Sequence, residues 1–134
     1  MTLTVEYGLG LADADALISL TSCDAYHIAR GNSTWTGDDA LKEAAIRRAS
    51  SFLTSAFDWQ GLPVNGREQS LAWPRSGVTD AQGYAVDTAT VPPEVVQACA
   101  EIALRELVKP NAMTPDITPS KQKKRTKVDV IEVE

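Results

Sequence analysis

Seven apolar residues set the strongest constraint on this chain. Leu41, Ala44, Ala45, Ala49, Phe52, Leu53 and Ala56 recur at offsets of 0, 3, 4, 8, 11, 12 and 15. That spacing follows the helical period and lays a single apolar stripe along one face. Lys42, Glu43, Arg47 and Arg48 fall off the stripe, and Asp38 can cap the start, so a helix is predicted from Asp39 to about Phe57. Asp58-Trp59-Gln60-Gly61 ends it and Pro63 bars its return. A structure built on such an element needs other helices to cover the stripe.

Two further helices are legible. Pro92-Pro93-Glu94 opens one, because proline suits the first turn and an acid suits the positive end of the helix dipole. Val95, Cys99, Ile102 and Ala103 form its stripe, widened by Val96, Ala100 and Leu107, and Glu101 and Arg105 make an i,i+4 pair. Pro110 closes it. The other helix is shorter. Thr21 reads as its N-cap with Asp24 three positions on, Ala25, Ile28 and Ala29 as its apolar face, and Gly31 as a left-handed C′ residue.

The remaining stretches lack a helical period. Residues 3–7 alternate like a short strand, Gly8 and Gly10 interrupt it, residues 11–16 suit a helical turn, and residues 17–20 read as extended. Residues 58–92 carry repeated glycine and proline breaks, yet their Trp, Tyr and Leu content argues for an ordered loop. From residue 109 the composition shifts. Pro110, Pro115 and Pro119 suggest a linker, Lys121 to Lys127 is a dense basic run, and Val128, Val130, Ile131 and Val133 approximate the alternation of a strand. A lone terminal strand needs a partner edge. The expected fold is therefore mainly α: a small helical bundle with a long ordered loop and an extended C-terminal arm ending in a β-strand. The expected division is a helical domain over 1–108 and a linker with C-terminal arm over 109–134.

Charge follows the same division. Residues 1–108 hold 7 basic and 14 acidic side chains, a net −7, whereas residues 109–134 hold 6 and 4, a net +2. The acidic body does not invite phosphate backbones, whose affinity comes from lysine and arginine. No apolar run reaches the length of a membrane span, and the N-terminal residues lack the pattern of a signal peptide. Cys23 and Cys99 both fall in helices and read as reduced, buried small hydrophobes, although a bridge between them stays open at this level.

Catalytic constellations are scarce. His27 is the single histidine, and although Cys23 lies four residues before it on one helix face, two ligands do not make a zinc site. Asp38-Asp39 fits a cap and a first-turn charge, and no phosphate-binding or dinucleotide loop occurs. No enzyme, cofactor or metal is expected. Two segments carry more information. Trp73-Pro74-Arg75 has one reading in which Trp73 plugs the core and Arg75 pairs with a local acid, and another in which they form a subunit contact. Lys121, Lys123, Lys124, Arg125 and Lys127 read either as a solvated charge run or as an arm touching DNA or a neighbour's acidic body.

The chain resembles a known family. The carrying residues are Thr21-x-x-Asp24-Ala25-Tyr26, Ala29-Arg30-Gly31-Asn32, Trp35, Ala40 to Ala49, Trp59-x-Gly61, Gln69-x-Leu71-Ala72-Trp73-Pro74-Arg75-Ser76-Gly77, Val91-Pro92-Pro93-Glu94-Val95, and Lys127-Val128 with Glu132-Val133-Glu134. They are similar to the head–tail adaptor (connector, or head-completion) proteins of tailed bacteriophages. Sequences of this type are often labelled DnaT-like single-stranded DNA-binding proteins, the alternative reading. The adaptor resemblance implies a structural virion protein in a homo-oligomeric ring, commonly of twelve subunits, made in the bacterial host cytoplasm and placed at the head–tail interface. Its partners would be the portal, a stopper or tail-completion protein, and genomic DNA passing the lumen without sequence-specific binding. Candidate contact residues on this reading are Trp73, Pro74, Arg75, the five cations of the basic run, Val128, Val130 and Ile131.

Overall fold

The computed structural model describes residues 2–114. Three helices, α1 (Leu20–Ala29), α2 (Asp39–Ser55) and α3 (Pro93–Val108), carry the architecture, with a two-stranded antiparallel pair, β1 (Leu62–Pro63) and β2 (Arg75–Ser76), in the long loop. The described part is thus small and mainly helical, as the periodicities imply. The basic run, the strand-like segment after it and their candidate contact residues lie outside the described residues.

Small residues let the helices approach closely. α2 packs chiefly on α3, and Ala45, Ala49, Cys99, Ala100 and Ala103 are all fully buried. Ile46 and Leu17 fill the larger gaps. Ser50 is buried without penalty, because its hydroxyl donates to the Ile46 carbonyl at 2.9 Å and accepts the Leu17 N–H at 2.9 Å. The α2 stripe differs at its margin from the expected one: the buried set is Ala45, Ile46, Ala49, Ser50 and Leu53, whereas Leu41 is exposed. The helix also stops at Ser55, two residues short of Phe57.

The shortest helix departs most from its expectation. Its N-cap is Ser19, not Thr21, since Ser19 is extended (φ −78°, ψ 158°) and its Oγ accepts the Ser22 N–H at 3.1 Å. Leu20 is accordingly helical rather than extended. The buried face consists of Cys23 and His27, and Ala25, Ile28 and Ala29 point to solvent. Two polar bonds explain the choice. His27 Nε2 lies 2.9 Å from the Ala100 carbonyl, and Asn32 Nδ2 lies 2.9 Å from His27 Nδ1. An amide donor on Nδ1 and a carbonyl on Nε2 fix the tautomer with its proton on Nε2. The helix ends as the sequence implies, with Gly31 at φ 67°, its N–H on the Ile28 carbonyl and that of Asn32 on the His27 carbonyl.

Residues 11–16 do not form the expected helical turn. The N-terminal segment instead lies beside them through a Val5–Ala16 bridge, while the buried Glu6 carboxylate accepts the N–H groups of Gly8, Leu9, Gly10 and Leu11 at 2.7–2.9 Å. Four backbone donors satisfy a charge that burial alone would penalise.

The long loop is ordered around Arg75. Its guanidinium donates to the carbonyls of Gln60 (2.7 Å), Gly61 (2.9 Å), Ala72 (3.1 Å) and Trp59 (3.4 Å). These partners are backbone carbonyls, not the acid anticipated from sequence. Trp73 sits beneath, with its ring centroid 5.4 Å from that of Trp59 in an edge arrangement. The Trp73–Pro74 peptide is cis. Gly61 allows β1 to meet β2, because at φ 68° an added Cβ would collide with the Ser76 carbonyl oxygen.

Candidate nucleic-acid interface

Most cations of the described body are already engaged. Lys42 pairs with Asp24 at 3.2 Å, Arg47 with Asp15 at 2.7 Å, Arg48 with Glu106 at 2.8 Å and Arg105 with Glu101 at 3.9 Å. Arg75 is buried among carbonyls, and burial pushes its guanidinium below the usual range. Arg30 stacks on the Tyr26 ring, 3.6 Å from its centroid. Glu101 also accepts the Tyr26 hydroxyl at 2.7 Å, a bond that raises the phenol above its ordinary pKa. Arg30, Tyr26, Glu101 and Arg105 therefore form one connected surface row, with Lys109 a turn beyond Arg105.

That row leads to the point where the described chain ends. Glu106, buried inside α3, turns the residues after the helix back on themselves. Its Oε1 accepts the Asn111 N–H at 2.8 Å and its Oε2 the Met113 N–H at 3.0 Å, while Arg48 binds Oε1 and, at 3.1 Å, the Glu106 carbonyl. Burial pushes this carboxyl up, but the Met113 and Asn111 N–H groups and Arg48 together outweigh it, and the pKa ends below normal. The clasp fixes Ala112 and Met113 as one wall of a groove of about 500 Å³, with Leu104 and Val108 as the rest of its apolar lining.

The sequence-predicted residues divide sharply. Trp73, Pro74 and Arg75 are brought together, but all three are buried within the single chain and face its own loop. Lys121, Lys123, Lys124, Arg125, Lys127, Val128, Val130 and Ile131 lie outside the described residues. Sequence reasoning missed the Glu106 clasp and the Tyr26–Arg30 stack. The second had a signal, since an aromatic and an arginine four apart on a helix share a face.

The Cys23–His27 pair offers little to nucleophilic chemistry. Both His27 ring nitrogens are engaged, and burial, with Cys99 and Asp24 nearby, pushes the Cys23 thiol up to about 12. Burial likewise raises Cys99 to about 11. Both cysteines are free, which closes the question of a bridge.

Comparison with known proteins bears on the interface directly. The family described as "Putative DnaT-like ssDNA binding protein" matches residues 1–134. The chain belongs to this family. No curated protein and no solved structure matches it. Membership corrects the adaptor reading: the matching family carries a DnaT-like DNA-binding description, and no match points to a head–tail connector, portal-binding or virion-assembly role. The residues quoted for the adaptor resemblance are thus residues of a DnaT-like family member.

Proposed function

We propose that this protein binds single-stranded DNA, with residues 121–127 as its main phosphate contact. The observation that carries the reading is the match of the whole chain to a DnaT-like single-stranded DNA-binding family. The charge inventory supports the location. Five of the seven residues from Lys121 to Lys127 are cationic, whereas the body's cations are mostly held by internal partners. An acidic body with a basic segment binds by that segment, since affinity for a polyphosphate rises with the cations free to displace its counterions.

Bases need flat apolar partners as well as phosphate contacts. Tyr7 and Tyr84 are 71% and 72% exposed, enough to offer ring faces to unstacked bases, and the Tyr26–Arg30 stack presents a guanidinium plane. A duplex keeps its bases stacked inside and cannot use these rings. The test is fluorescence anisotropy of a labelled oligothymidylate at low salt, with unlabelled single strand and duplex as competitors. Single strand should displace the probe at lower concentration than duplex. Absence of binding, or equal competition by duplex, would contradict the proposal.

A further inference from the structure

We infer that the apolar groove at the end of α3 is the docking site for residues 128–133 of the same chain. The groove has an apolar lining of Leu104, Val108, Ala112 and Met113, with Arg105 and Lys109 on its rim. Val108, on the last turn of α3, is 60% exposed. The described residues end at Thr114, one residue past Met113.

Residues 115–134 contain one segment that matches the groove in both polarity and charge. Val128, Val130, Ile131 and Val133 supply apolar side chains, and Asp129 and Glu132 are interleaved with them. An apolar lining with Lys109 on its rim suits that pattern: the aliphatic groups fill the groove and the acids meet that cation. Glu101, also at the rim, is already bonded to the Tyr26 hydroxyl and paired with Arg105.

Reach decides between this chain and a second copy. The connecting residues 115–127 span up to about 43 Å when extended, ample for a return to a groove beside their own starting point. A short tether holds its end at an effective concentration in the millimolar range, above that of a separate molecule in dilute solution. The two-residue strands β1 and β2 offer too little edge to compete for the segment. The inference does not rest on the DNA reading.

Hydrogen exchange of the full chain without DNA tests the inference. Amides of 128–133 should be protected to the same degree at low and high protein concentration. Ile131→Asp, and separately Val108→Asp at its exposed site, should each raise exchange in 128–133 severalfold while leaving α1 and α2 protected. Three results would overturn the inference: no protection in the parent chain, protection only at concentrations where dimers form, or protection that survives both substitutions. Because no nucleic acid is present, any of them leaves the DNA-binding reading intact.

Discussion

At the scale of single residues, buried polar groups carry much of the order outside the helices. Arg75 ties four carbonyls from two parts of the loop into one site. Arg75→Ala should cost about 2–4 kcal/mol, because buried carbonyls would lose a charged donor. Arg75→Lys should rescue little, since a point ammonium cannot span the positions reached by a planar fork. Urea denaturation of the three proteins checks both statements. Glu106 makes a pH-dependent contribution with a definite sign. Its carboxyl is held below its ordinary value, so its stabilisation is present above the unfolded pKa and disappears as pH falls through the folded one. Amide exchange at Asn111 and Met113 should therefore increase on acidification relative to the intrinsic rate. Glu106→Gln should remove that dependence and cost about 2–3 kcal/mol. A pH-independent protection factor in the parent chain would contradict the clasp.

At the scale of elements, periodicity located all three helices, but did not orient all of them. α2 and α3 were legible because long stripes average over many residues, and Pro93 and Gly31 act through their own backbone preferences. α1 was not legible in its orientation. It is 10 residues long, and its inward face is chosen by the bonds of His27 to Asn32, in the turn directly after α1, and to the Ala100 carbonyl, the second a partner that only the tertiary fold supplies. The prediction is a contrast. Ile28→Glu should change stability by less than about 0.5 kcal/mol, as an exposed position, whereas Ile46→Ala should cost about 2–5 kcal/mol. Thermal unfolding of both variants decides it, and a large loss for Ile28→Glu would mean that α1 buries the face expected from sequence. The loop shows the same division. Trp73 was foreseeable as an anchor, but Arg75's carbonyl partners at Gln60 and Gly61, 15 and 14 residues away, were not.

At the scale of the whole molecule, an acidic helical body and a basic run share one chain, and the proposed function gives them separate work. The charge division was read from composition alone. The candidate interface was only partly legible, because which cations are engaged by internal partners depends on distances such as Arg48 to Glu106. The functional class came from the family match rather than from any motif's chemistry. The most direct test of the central claim is the salt dependence of single-stranded DNA binding by the full chain and by a variant with Lys121, Lys123, Lys124, Arg125 and Lys127 changed to glutamine. If the five cations each neutralise one phosphate, the plot of log K against log salt should have a slope near about −3.5 for the parent chain. The variant should bind far more weakly and with a shallow slope. Equal affinity and equal slope for the two proteins would contradict the assignment, and no binding by either at low salt would contradict the function itself.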